Sequence, residues 1–272
     1  MVCREGEEGS FLKRALILFS AFLLMMAASS LASNVNLTAD KVLFYPDKNL
    51  MKAFENVKLI WRDKRASADS GWVDFKTNDA SLEGNVIIED KRGRVTADKV
   101  SFISALHLVR AEGNVFLITK EGIKLKCGEL EAYETGIFKA KDNPVIEGKN
   151  FTLKAREITL KGREADISSP VYTGDAGKLS LSANKAHLIF TRNGELERIN
   201  ASGKVFLSHR KGNSVVKVRG SEGVYDLKEG KVRISRKAVA LKGKTEVRAD
   251  EIVYDVKSGI MRALGETRMI IH

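Results

Sequence analysis

The chain of 272 residues is poor in the features that usually brace an exported protein or mark an enzyme. It has two cysteines, three prolines and only 7% aromatic residues. Cys3 lies ahead of an N-terminal apolar run, so cleavage after that run leaves Cys127 alone. A lone cysteine forms no intrachain disulfide, and the fold must hold by its own packing. Cys127 stands where related segments carry Ala or Gly, which reads as a small buried residue. The four histidines (His107, His187, His209 and His272) fall at no metal-ligand spacing, and Cys-x-x-Cys and His-Glu-x-x-His are absent. Neither a Gly-x-Ser-x-Gly elbow nor a P-loop occurs. No stretch after Ala32 has helical periodicity, and none reads as a linker. These absences argue against an enzyme and lead to an expectation of no cofactor and no metal.

What is present is charge and small aliphatic side chains. The formal net charge is +11. A balance of this size suits nucleic acid, an acidic membrane surface, an anionic lipid, or simply a solvated surface. No Lys/Arg block stands out and no aromatics interleave with the cations, which argues against nucleic acid. Lys13-Arg14 precede the apolar run Ala15 to Ala28, and Ser30-Leu31-Ala32 follow. A positive flank, a short apolar core and small residues before a cut after Ala32 read as a signal peptide over 1–32. The run is short for a bilayer span; an uncleaved anchor is the alternative. Residues 34–272 are expected to form one domain.

The rest of the chain repeats. The first half of each unit places an apolar residue and, two positions on, a small residue ahead of an apolar pair. It reads Leu37-Ala39-Val42-Phe44, Ala66-Ala68-Gly71-Val73, Val95-Ala97-Val100-Phe102, Leu125-Cys127-Leu130-Ala132, Leu153-Ala155-Ile158-Leu160, Leu181-Ala183-Ala186-Leu188, Val218-Gly220-Gly223-Tyr225 and Val247-Ala249-Ile252-Tyr254. The small residues are 29, 29, 30, 28, 28, 37 and 29 positions apart. The second half ends in an apolar pair: Val57-Leu59, Val86-Ile88, Val115-Leu117, Val145-Ile146, Val205-Leu207, Val239-Leu241 and Met269-Ile271. The fifth copy is weakest there, with Val171-Tyr172-Thr173 after Pro170, which must be an edge, a bulge or a break.

Alternation with period two means a strand with one buried face. The alternation slips by one residue after each small position. Such a slip turns the rest of the strand over unless a bulge absorbs it, so each strand is expected to bend there and keep one interior. Asp40, Asp69, Asp98 and Asp250 follow the small residue in four copies, where a corner carboxylate bonding its own backbone is the expectation. Short Gly-bearing loops such as Lys228-Glu229-Gly230 close hairpins and favour an antiparallel meander over a parallel solenoid. The fold class is therefore all-β, a twisted open antiparallel arrangement of about sixteen strands in eight two-strand repeats.

Two readings of the interior stay open. Ordinary core packing accounts for the apolar pattern. An open slot for apolar chains accounts for it too, with Ala39, Ala68, Ala97, Ala155, Ala183, Gly220, Gly223 and Ala249 leaving room. The candidate lipid-facing residues are Val95, Ala97, Val100, Phe102, Val115, Leu117, Leu125 and Leu130, then Leu153, Ile158, Leu160, Leu181, Leu188, Val247, Ile252 and Tyr254. Leu37, Ala39, Val42, Phe44, Met269 and Ile271 are candidate edge-strand contacts for a partner. A structural protein that polymerises through such edges is the competing class.

Thr96-Ala97-Asp98-Lys99-Val100, Gly113-Asn114-Val115, Gly84-Asn85-Val86 and Arg248-Ala249-Asp250-Glu251-Ile252-Val253-Tyr254 resemble segments of the OstA-like β-jellyroll family of lipopolysaccharide export. The likeness runs over 37–272 and lies in the recurrence of short motifs. It implies a jellyroll whose interior carries acyl chains and a place in the periplasmic bridge between inner and outer membrane. It further implies, as partners, lipopolysaccharide or a related acylated lipid and other jellyroll members joined at both sheet edges, including head-to-tail copies of itself. A cleaved leader fits the soluble bridge member, and an uncleaved one fits the member tethered to the inner membrane.

Overall fold

The computed structural model describes residues 36–61, 64–120, 122–149, 151–191 and 196–271. The expected signal segment lies outside them. The described chain is all-β and antiparallel, and its contacts group it into two compact units.

The first unit comprises 36–144 with 159–162. It holds β1 (Asn36–Thr38), β2 (Lys41–Tyr45), β3 (Leu50–Trp61), β4 (Lys64–Asp74), β5 (Asp79–Asp90), β6 (Gly93–Ile103), β7 (Leu108–Thr119), β8 (Lys124–Tyr133) and β9 (Ile137–Lys141). Each long strand pairs with the next in sequence, and β1 and β2 both pair with β3. The second unit comprises 145–158 and 163–271. It opens with β10 (Val145–Glu147) and β11 (Thr152–Lys154); β12 (Glu157–Lys161) spans the boundary in sequence. There follow β13 (Glu164–Ser168), β14 (Val171–Gly174), β15 (Leu179–Ser182), β16 (Lys185–Phe190), β17 (Leu196–Lys211), β18 (Ser214–Asp226), β19 (Lys231–Lys242), β20 (Thr245–Asp255), β21 (Met261–Leu264) and β22 (Arg268–Ile271). Here β11, β14, β15 and the end of β17 make one ladder, which continues to β22. A second ladder runs from β13 through β16 and the start of β17 to β21.

The twenty-two segments are sixteen passes of the chain, six of them cut in two at mid-length. The cut is where the alternation slips. In β3, β5, β7, β17 and β19 two residues oppose one residue of the neighbouring strand: Glu55-Asn56, Gly84-Asn85, Gly113-Asn114, Gly203-Lys204 and Arg236-Lys237. All ten have positive φ, between 47° and 77°. This left-handed region is sterically costly for most L-residues and mildest for Gly and Asn. The extra residue turns the strand over, the bulge turns it back, and both halves bury the same side. The residue after each left-handed pair points inward: Val57, Val86, Val115, Val205 and Ala238 are all buried.

That rule corrects one expectation. The inward pair of β19 is Ala238 and Ala240, not Val239 and Leu241, which face out. The pair Arg236-Lys237 advances the register by one residue relative to a simple reading of apolar positions. The corner aspartates need a second correction. Asp40, Asp69 and Asp98 do not serve their own backbone. Their carboxylates accept from the amides of Asn56, Asn85 and Asn114, at 2.6, 2.9 and 2.9 Å. Asp250 accepts from the backbone N–H of Glu266 at 3.1 Å. The carboxylate therefore locks the bulge of the next pass, because it sits opposite the two left-handed residues. Pro170 marks a break, since β13 stops at Ser168 and β14 starts at Val171 yet pairs on both sides.

Away from the interior, the first unit carries a polar network. Glu131 is buried and accepts from Arg110 at 2.8 Å, while Lys141 lies 3.1 Å away. Burial raises the Glu131 carboxyl, but the hydrogen bonds of Arg110 and Lys141 outweigh it and bring it down to about 2.

A Cβ on Gly113 would collide with the Asp98 carboxylate. Gly113→Ala is expected to destabilise the protein by ~1–3 kcal/mol, and Asp98→Ala by about 1 kcal/mol through the lost hydrogen bond. Because the collision is with Asp98, the double variant should cost less than the sum. Urea titration of the three variants checks this, and simple additivity would show that the two residues do not form one lock.

Candidate lipid-binding interior

The buried side of each unit is built from the inward residues of every pass. In the first unit Val95, Ala97, Val100 and Phe102 of β6 are buried, as are Val115 and Leu117 of β7 and Leu125 and Leu130 of β8. Cross-strand register sets them in rows: Ile88, Val95, Leu117 and Leu125 are successive partners on one side of the bulge line. Leu82, Val100, Ala111 and Leu130 are partners on the other. In the second unit Leu153, Ile158, Leu181, Leu188, Ile252 and Tyr254 are buried. Leu160, also buried, groups with the first unit. Val247 is only half-buried, because its partner Met269 belongs to the short strand β22. Of the candidate edge residues, Leu37 and Ala39 are half-buried, and Val42, Phe44, Met269 and Ile271 are exposed.

The small residues at the slips are small for a packing reason. A Cβ on Gly220 would meet Ile234 and the carbonyl of Ser235, and one on Gly223 would meet Val205. Neighbouring strands fill that space, so these glycines close the corner and do not leave a gap. Cys127 takes an Ala-like place opposite Val115, buried at 8% exposure. Burial, with the nearby Asp142 and Glu129 charges, pushes its thiol up to about 12.

The interior of the second unit also holds polar and aromatic groups that the candidate residues omit. His209 of β17 is 3% exposed, and its Nδ1 lies 2.7 Å from the Tyr254 hydroxyl. Its Nε2 is 3.5 Å from the Asp175 carboxylate. Tyr172 packs edge-on against Tyr225, with ring centres 6.5 Å apart, and stacks on Phe151 at 6.2 Å. His209 and Tyr172 come from the ladder that ends at β22, and Tyr254 and Tyr225 from the ladder that ends at β21. These contacts therefore join the two halves of the interior across its width. Burial raises the hydroxyls of Tyr254 and Tyr225, helped by the charges of Asp255 and Asp175 respectively. The alternation Val205, Leu207, His209 puts His209 on the inner face and is the signal that finds it. Tyr225 already stands in the repeat.

Cys127 reports on this interior. The folded thiol stays protonated up to about pH 12, whereas the unfolded thiol ionises near 9. Its burial therefore favours folding below pH 9, and that contribution is lost as pH rises from 9 toward 12. Alkylation at pH 8 is expected to be at least about a hundredfold slower than in urea. Equal rates would place the thiol outside the interior.

Among curated proteins none matches the chain. Residues 169–260 match the model of a family described as LptA/(LptD N-terminal domain) LPS transport protein. Among solved structures, LptH from Pseudomonas aeruginosa, titled as the LptA-homologous periplasmic component of the conserved lipopolysaccharide transport device, aligns at 15% identity. That alignment covers 56% of this chain and 96% of LptH, with a TM-score of 0.33. Over residues 169–260 the chain is thus similar to a family of lipopolysaccharide transport proteins, the resemblance that its repeats imply.

Proposed function

We propose that the chain is a periplasmic carrier of lipopolysaccharide, or of a related acylated lipid, within the bridge between inner and outer membrane. The observation that carries the proposal is the match of residues 169–260 to a lipopolysaccharide transport family on a chain whose repeats, apart from the first and last strands, bury one apolar face. The leader-like N-terminus supports export to the periplasm, and its uncleaved form would tether the protein to the inner membrane.

The energetics are adequate. An acyl chain gains ~0.8 kcal/mol per buried CH₂, so a chain of about twelve carbons gains on the order of 10 kcal/mol. The interior side chains are packed together, so a lipid enters by parting the two halves of the interior. In the second unit that means separating His209 from Tyr254 and Tyr172 from Tyr225. A hydrogen bond and an aromatic contact cost about 1 kcal/mol each, well below the gain from the acyl chain.

A second reading rests on the edges. Val42 and Phe44 are 47% and 60% exposed on β2, which pairs with β3, and Met269 and Ile271 are 61% and 75% exposed on β22, which pairs with β20. Strand ends of this kind recruit further strands. Neighbouring bridge proteins, or head-to-tail copies of this chain, fit both ends.

The test is to purify the full chain from its native periplasm and extract it for mass spectrometry. A bound acylated lipid is expected, and a chain that neither carries nor takes up one overturns the proposal. A photocrosslinking residue at Phe102 or Val115 should label the lipid, whereas one at the outward Lys99 should not. Concentration-dependent oligomers in sedimentation without any lipid would favour the polymerising reading.

A further inference from the structure

The outward side chains of each unit divide by charge along the bulge line. In the first unit the half of the sheet containing β1 turns Lys58, Arg65, Arg94, Lys124 and Lys126 outward against one carboxylate, Glu89. The half containing β2 turns out, over β2–β9, six cations and six carboxylates, tied together by pairs such as Lys99–Glu83 at 2.8 Å and Lys141–Glu129 at 2.9 Å. The second unit repeats the division. The half containing β22 presents Lys154, Arg210, Lys217, Arg219, Arg248 and Arg268 against two carboxylates, Glu147 and Glu246, the second of which Arg248 engages. The half containing β21 has, over β13 and β16–β21, five cations and six carboxylates, among them Arg198 and Asp226 at 3.6 Å.

The basic halves are also apolar. Phe206, Arg219, Val239, Arg248 and Arg268 are successive partners across five strands, and Phe206 is 38% exposed. Leu241 and Ile270 flank Glu246 in the next row. In the first unit Phe116 and Ile118 stand among the cations, with Lys126 over the Phe116 ring and Ile60 47% exposed. Arg248 and Arg268 are direct cross-strand partners, a like-charge pairing that destabilises a sheet and that Glu246, engaged by Arg248, offsets only in part.

We propose that each of these half-sheet faces, the one containing β1 and the one containing β22, is in its own unit a docking surface for an anionic phospholipid bilayer. Phosphate-bearing headgroups supply the missing counter-charge, at about 1 kcal/mol per Lys or Arg near the surface. The aliphatic and aromatic side chains between the cations sit at the headgroup boundary, where long basic side chains reach outward to phosphate. Nucleic acid fits less well, because a backbone-tracking groove with stacking aromatics is what a single strand requires, and here the apolar residues between cations are mostly Val, Leu and Ile. The surface is distinct from the interior, so it stands whether or not the interior holds a lipid. Its role is to hold the unit that carries it at a membrane surface and leave that unit's charge-balanced face to water.

The test uses the full chain and vesicles of equal parts phosphatidylglycerol and phosphatidylcholine, with phosphatidylcholine alone as reference. Co-sedimentation with the anionic vesicles is expected, weakening as salt rises. The double variant Lys217→Glu/Arg219→Glu should lose about tenfold or more in binding. Arg233→Glu/Arg262→Glu, which changes the net charge equally on the balanced face, should stay within about twofold. Circular dichroism verifies folding, and Lys217→Gln/Arg219→Gln serves if the reversal variant unfolds. Equal loss in both double variants would mean net charge alone drives binding and would overturn the face. Binding to a DNA oligomer with none to anionic vesicles would overturn the partner.

Discussion

Everything in this protein depends on one residue too many in the middle of a strand. A strand with a single buried face cannot gain a residue without turning its apolar side to water. The chain solves this the same way in β3, β5, β7, β17 and β19, with two left-handed residues facing one residue of the neighbour. Left-handed backbone costs free energy wherever the residue is neither Gly nor Asn, as at Glu55, Lys204, Arg236 and Lys237. The repeated carboxylates offset part of that cost where an Asn is present to bond them. The Asp98–Asn114 bond and the bare backbone of Gly113 are two sides of one fit, since a side chain at 113 would occupy the place of the carboxylate. The bulge line thus sets the register on both sides and determines which residues form the interior.

Much of this is legible without coordinates. Eight copies at a near-constant spacing give sixteen passes, and sixteen passes are present once strands cut at a bulge are rejoined. Fifteen of the sixteen candidate lipid-facing side chains are buried because period-two alternation maps directly onto the faces of a strand. Val247 departs because burial also needs a neighbour beyond, and β22 is too short and too near an edge to supply one. Other features need the third dimension. Asp98 and Asn114 are sixteen residues apart and touch only because the passes are antiparallel. Val239 and Leu241 look like core until the left-handed pair Arg236-Lys237 is known. The small residues at 220 and 223 are explained by Ile234 and Val205, which lie on other strands.

The sidedness of the charge was hidden for the same reason. Cations are spread evenly along the sequence, so no basic block announces a surface. Only register shows that Arg219, Val239, Arg248 and Arg268 lie side by side while Arg233 and Arg262 lie across the bulge line among carboxylates. Net charge alone, at +11, cannot distinguish a soluble coat from a docking face.

A strand with a bulge at its centre carries three separable patterns: one interior and two outer faces. Substitutions on the outer faces leave the interior rows intact, because alternate side chains do not meet. The interior can therefore stay aliphatic along every pass while one outer face is neutralised by internal ion pairs and the other keeps its cations. An interior selected only for packing would tolerate polar groups poorly, since a buried unpaired imidazole or phenol costs several kcal/mol. His209 and Tyr254 satisfy each other by reaching across the width of the second unit. Such a pair links the two halves by a bond that a single displacement breaks, whereas a Leu pair at the same place would close by contact over its whole surface. The polar pair makes that end of the interior the place where parting the halves exposes two groups able to bond water or a polar lipid atom.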